Sequence, residues 1–278
     1  MVRTSFQARI ASVLILLLLV VIGALYFAVQ AATTASIRTQ AREQLEVGTG
    51  VFGQLLDVHA RQLRDAVQVL TADFGFREAV ASGDEATIRS ALFNHGARIN
   101  AGLVMMFDMD GKLTASTLAP LSVARAEQIN GQLSQHGQSL LMPVDGRIYL
   151  LVQATVNAPV PIARLVTGFA IDEGFARELN QLTHLELTLT GSMEGQPDVR
   201  VSTLPDMPMI TFDGDSGEVM HGDEPFLVQR LVIASGDGFR VQALLQRSLE
   251  QARGSVAALN RQILLIAVAA LVAVSYTH

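Results

Sequence analysis

Arg98, Asp108, Arg147, Tyr149 and Gln153 are the polar side chains that lie close to the strand-like runs of this chain, and they are its candidates for contact with a small ligand. An arginine turned into a cavity pairs bidentately with a carboxylate or another anion. Tyr149 offers one ring face and one hydroxyl. In Arg147-Ile148-Tyr149-Leu150 the alternation of a strand puts Arg147 and Tyr149 on one face. Each residue also has an ordinary structural role open to it: Arg98 can cap or ion-pair the preceding helix, and Tyr149 can be core.

Other chemistries fit less well. Asp213-Gly214-Asp215-Ser216-Gly217-Glu218, continuing to Glu224, has acidic residues where a calcium loop begins and ends. It has Glu218 where the loop's turn needs glycine, so no metal is expected there. Asp108-Met109-Asp110-Gly111 reads as a hairpin turn. The six histidines (His59, His95, His136, His184, His221, His278) have no ligand spacing, and no nucleophile elbow, zinc-protease or phosphate-loop motif is present. Without cysteine there is no thiolate site, and Lys112 is the only lysine. A net charge of −6 without a basic cluster argues against nucleic acid. No cofactor is implied.

The elements that would position these residues lie between two apolar ends. Ile10 to Val29 is apolar apart from Ser12, long enough to span a bilayer of ~30 Å hydrocarbon thickness. Arg3 and Arg9 precede it without an acidic residue, which places the N-terminus in the cytoplasm. A cleaved signal peptide is the rival, but signal cores run only about 7–15 residues. Ile263 to Val274 is too short to cross and reads as a second span cut short, or as a buried helix. The final Val274-Ser275-Tyr276-Thr277-His278 matches one reading frame of a common transposon-derived sequencing adaptor, so the chain is expected to be a fragment.

Between these ends, residues 34–82 contain no proline and read as one long helix, with Phe52, Leu56, Leu63, Ala66 or Val67, Leu70 and Phe74 on one stripe and His59 on the same stripe. Its length suggests a stalk that pairs with a partner copy. Asp84 caps a second helix, Glu85 to His95, ended by Gly96. Leu103 to Phe107 and Lys112 to Thr117 form a hairpin, and Ser122 to Gln135 is an amphipathic helix. Leu140 to Met142, Arg147 to Val156 and Ile162 to Ile171 complete a sheet. That order is the order of a PAS-like sensor fold. A helix from Phe175 to Leu182 then leads to two strand pairs, Leu185–Thr190 with Val199–Thr203 and Phe226–Ala234 with Phe239–Leu245, in a smaller α+β unit.

The run Asp73-Phe74-Gly75-Phe76-Arg77-Glu78-Ala79-Val80, with Gly83-Asp84-Glu85-Ala86-Thr87-Ile88, Asn94-His95-Gly96-Ala97-Arg98-Ile99, Asp108 to Gly111 and Ala115-Ser116-Thr117, resembles the extracytoplasmic double-Cache sensors of bacterial receptors. These often precede diguanylate cyclase or cyclic-di-GMP phosphodiesterase domains, and sometimes histidine kinases. The resemblance covers roughly residues 34–250 and implies an α+β fold: a long N-terminal helix and two PAS-like antiparallel units flanked by transmembrane helices. The implied layout is a cytoplasmic 1–9, a span at 10–32 and a sensor at 33–247. Within the sensor, 33–95 is the stalk, 96–172 the membrane-distal unit and 173–247 the membrane-proximal one. Residues 248–262 lead to the truncated span at 263–278.

It further implies a non-catalytic input module in the bacterial inner membrane, its sensor in the periplasm. Its partners would be the bilayer, a small-molecule ligand or periplasmic partner, and a second copy of itself. The output domain, with its GGDEF-type or EAL-type motif, is absent. The amino-acid-binding double-Cache receptors carry a pocket rich in Trp and Tyr; here there is no Trp, and Tyr149 is the only tyrosine between the ends, so an amino acid held by that pattern is not expected. The alternatives are a membrane-anchored binding protein working through a separate partner and an extracytoplasmic hydrolase.

Overall fold

The computed structural model describes residues 6–118, 121–204 and 214–252. The apolar run Ile263–Val274 and most of the segment leading to it therefore lie outside the described residues. Helix α1 runs unbroken through Phe6–Ala72, and its N-terminal part is long and apolar enough to cross a membrane. Val13, Leu16, Leu17, Val20, Val21, Leu25 and Phe27 there are all exposed, which suits lipid rather than water.

The long helix expected over 34–82 is in fact two. Asp73 ends α1, and its carboxylate accepts from the backbone N–H of Phe76 at 2.9 Å, capping helix α2 (Phe74–Ala81). This break re-aims the chain. Phe76 is buried, whereas Phe74, expected on the apolar stripe of α1, is 74% exposed. The rest of the stripe packs inward at three- and four-residue spacing, with Phe52, Leu56, Val67 and Leu70 buried.

Helix α3 (Glu85–Arg98) is capped by Asp84, which accepts from the N–H of Thr87 at 2.8 Å and from its hydroxyl at 2.6 Å. Gly96 does not terminate α3 as expected but lies buried within it. A Cβ at that position would stand 2.7 Å from Cγ2 of Val104, so the glycine is where helix and sheet approach most closely. The helix ends at Arg98, and Asn100 turns the chain with a φ of 55°.

The first sheet holds β1 (Leu103–Phe107), β2 (Leu113–Ser116), β3 (Ser139–Val144), β4 (Arg147–Asn157) and β5 (Pro161–Ile171) in the antiparallel order β2-β1-β5-β4-β3. Val67, Leu70, Phe76, Ile88 and Leu92 form one core with Val104, Met106, Val152, Val156 and Leu165 of the sheet. Between β2 and β3 runs α4 (Val123–His136), capped by Ser122 and burying Ala126, Ile129 and Leu133.

Helix α5 (Glu173–Thr183) follows, capped by Asp172. Its Phe175 meets Phe52 of α1 edge-on, ring centroids 6.2 Å apart. The half-buried His59, the ring on the α1 stripe, stands 3.7 Å from the Glu178 carboxylate of the same helix. The second sheet contains β6 (Glu186–Met193), β7 (Val199–Ser202), β8 (Ser216–His221), β9 (Glu224–Gly236) and β10 (Phe239–Ser248), in the order β7-β6-β10-β9-β8. The four strands expected there become five because Gly217 and Glu218, part of the acidic run weighed as a cation loop, belong to β8.

By chain packing the molecule divides into two bodies. The larger comprises Glu46–Gly217 and Val228–Gln246 and so holds the whole first sheet. Within the described part of the smaller one, which includes residues 6–45 and Glu218–Leu227, the Arg38 guanidinium holds Glu218 through two contacts, Nε to Oε1 at 2.8 Å and Nη2 to Oε2 at 3.2 Å.

Candidate functional site

The structure separates the five candidates. Asp108 is used by its own turn: its Oδ1 accepts from the N–H groups of Asp110 at 3.0 Å and Lys112 at 2.8 Å. Arg98 is exposed at the end of α3, beside a shallow groove with Asn94 and His95. Arg147 opens on a cleft of about 610 Å³ that it shares with Asp172, Glu173, Arg177 and Arg200. The two charge signs are mixed there, and the Asp172 carboxylate already caps α5.

Tyr149 is only 3% exposed and does not line that cleft. Its ring lies over two glycines: a Cβ on Gly168 would meet it at 3.1 Å and one on Gly102 at 3.2 Å. Burial pushes its phenol above the usual range, Arg147 pulling it partly back and Asp145 adding to the rise.

Gln153 lies elsewhere, in a cleft of about 810 Å³. Three helices and two strands build this cleft. Helix α1 supplies Arg64, Gln68 and Thr71, spaced by four and three residues and so on one face. Arg77 comes from α2, set in place by the buried Phe76 beside it. The end of α4 brings Ser134 and, just past its cap, Gln138, while β4 and β5 bring Gln153, Thr155 and Arg164. Thr155 and Arg164 sit opposite each other in the β4–β5 ladder.

The electrostatics of this cleft are one-sided. Three arginines line it, with no aspartate or glutamate among the described lining residues. Arg164 Nη1 reaches only neutral oxygens, Oδ1 of Asn130 at 3.5 Å and Oγ of Ser134 at 3.4 Å. The Nε of Arg77 is buried without a partner, as is Oε1 of Gln153. The Gln153 amide is oriented by its Nε2, which donates to the carbonyl of Gly137 at 3.1 Å.

Sequence reading passed over Arg64, Arg77 and Arg164. Arg164 carried a signal: it is the one charge in the run Ile162 to Ile171, and a sheet does not bury a charge without purpose. Arg64 and Arg77 carried none alone, since arginines are ordinary on helices.

A cleft lined by three arginines and several neutral polar side chains is suited to holding a ligand. Residues 38–195, more than half of the chain, match the family described as the double sensory domain of two-component sensor kinases. The chain belongs to this double-Cache sensory family. The sensory domain of the Campylobacter jejuni chemoreceptor Tlp3 is similar in fold, with 13% identity, a TM-score of 0.50, and coverage of 80% of this chain and 99% of that one. A Vibrio parahaemolyticus domain assigned to the sensory box/GGDEF family matches at 11% identity and TM-score 0.46, covering 79% and 99%. The ligand-binding domain of the Pseudomonas fluorescens chemoreceptor CtaA, solved with L-isoleucine, matches at 12% and 0.39, covering 82% and 97%. No curated protein sequence matches. The chain is therefore a sensory module that carries two five-stranded antiparallel sheets.

Proposed function

We propose that this double-Cache sensor is the input half of a bacterial inner-membrane receptor. Its sheets stand in the periplasm, it binds a small ligand in the arginine-lined cleft, and it drives a cytoplasmic output domain encoded beyond residue 278. Cyclic-di-GMP synthesis or hydrolysis is the output proposed, and a homodimer the working form.

One observation carries this reading. The helix that lines the cleft with Arg64, Gln68 and Thr71 is the same helix whose N-terminal part can cross a membrane. A ligand that pulls on these side chains biases the position of α1, and a shift of a continuous helix is a signal a membrane can pass. The ligand must bind one arrangement of α1 more tightly than the other, because equal affinity moves nothing.

The test is to read the native gene past codon 278. An open frame that completes a second span and enters a cyclase, phosphodiesterase, kinase or chemotaxis-signalling domain is the expected result. A stop codon directly after a completed span would overturn the single-chain receptor in favour of a binding protein with a separate partner.

A further inference from the structure

The lining of the cleft also defines the chemical class of its occupant, granted that the cleft is the ligand site. We infer that the ligand is a small polyanion, with at least two carboxylate or phosphate groups, a hydroxyl, and no ammonium.

Charge is the first argument. Arg64, Arg77 and Arg164 repel one another around one cleft, on a chain whose net charge is −6, and among the described residues no lining carboxylate offsets them. An ammonium carries three donors and no acceptor, so an amino acid would bring a fourth cation into a wall that offers it only neutral oxygens. Two anionic groups instead give the guanidinium forks paired oxygens that accept bidentately.

Unused hydrogen-bonding capacity is the second argument. Among the described residues the Arg64 and Arg77 side chains make no ion pair, and the Nε of Arg77 is a buried donor with nothing to meet. These charged donors are unspent. Gln153 adds the opposite need. Its Nε2 is committed to the Gly137 carbonyl, which fixes the amide and leaves Oε1 as a buried acceptor lacking a donor. A hydroxyl supplies that donor, and a bare dicarboxylate does not. About 810 Å³ is ample room for a molecule of this size.

The experiment uses the full chain in nanodiscs and calorimetry with succinate, malate, citrate, 3-phosphoglycerate, inorganic phosphate, glycerol and isoleucine. Saturable binding of malate, citrate or 3-phosphoglycerate is expected, with malate tighter than succinate; the carboxylate and phosphate arms distinguish the two sources of anionic oxygen. Arg64→Gln and Arg77→Gln should each weaken binding about 10- to 100-fold, the worth of a hydrogen bond to a charged group. Gln153→Ala should erase the advantage of malate over succinate. Circular dichroism confirms that each variant is folded, and Arg64, half-buried on a helix surface, gives the safer one.

Tight binding of isoleucine that Ser134→Trp abolishes would overturn the polyanion while leaving the cleft in place. Anion binding unmoved by both Arg64→Gln and Ser134→Trp would overturn the cleft itself. A flat response to every anion in the panel would also overturn the polyanion.

Discussion

Nε2 of His136, in the last turn of α4, stands 3.1 Å from the carbonyl oxygen of Ser235, near the end of β9. The other ring nitrogen, Nδ1, stands 2.9 Å from the carbonyl of Gln132. Both partners only accept, so it is the protonated ring nitrogen that donates in each contact. The ring also meets Phe239 edge-on at 6.3 Å. A helix of the first PAS-like unit is thus pinned to the β9–β10 hairpin of the second. His136→Leu should cost about 1 kcal/mol, the net worth of a lost hydrogen bond. It should also speed amide exchange across 232–241. Unchanged exchange there would show that the pin is incidental.

The close approach of α3 to the first sheet makes Gly96 a sensitive position. A Cβ there lies 2.7 Å from Val104 Cγ2, inside van der Waals contact with a fully buried side chain. Gly96→Ala gains helix propensity but overpacks the core, and the second effect should win, with a net loss of about 1–3 kcal/mol. Gly96→Ala with Val104→Ala removes the clash, so urea denaturation should show the double variant less destabilised than the sum of the two singles. Simple additivity would locate the cost elsewhere.

How far the sequence went follows from how locally each feature is written. Asp84 before a helix is a signal within a few residues, and the structure uses it as expected, whereas Ser122, expected as the first residue of its helix, is instead the cap. The break at Asp73 was harder to see, because Phe74 and Phe76 are equally apolar and only the cap decides which is buried. Strand β8 alternates half-buried with exposed residues and contains a glycine, so its composition imitates a loop. The arginine cleft was illegible for another reason. Arg64, Arg77 and Arg164 come from three elements, Arg164 far from the other two in the chain, and only the packing of α1 and α4 near β4 and β5 brings them to one cavity. Of the five residues selected from sequence, Gln153 alone lines that cavity.

Tyr149 should make the fold alkali-sensitive. Burial raises its ionisation above the ordinary value of 10.0, so the folded state keeps the proton at a pH where the unfolded chain has released it. The unfolded state then binds fewer protons, and stability falls as pH rises. The contribution is complete below about pH 10, the unfolded value, and is lost as pH climbs toward the folded one. Tyr149→Phe keeps the ring over Gly168 and removes the titration. Its urea midpoint should match the parent at neutral pH and exceed it above pH 10, and equal midpoints at alkaline pH would count against a buried phenol.

The outward face of α1 should join two copies. Val47, Val58 and Val69 are 68%, 39% and 74% exposed, and each lies three helical turns from the next. An eleven-residue spacing keeps them in line along a nearly straight helix, and half-buried Val51 and Leu55 extend the same apolar strip. The inward stripe of Phe52, Leu56 and Val67 is already buried by the chain itself, so this outer strip is what remains for a partner. Val58→Asp with Val69→Asp puts two charges on it without touching the core. The parent chain should sediment as a dimer in detergent micelles and the double variant as a monomer, with unchanged circular dichroism. A dimer that survives both aspartates would place the interface on another face.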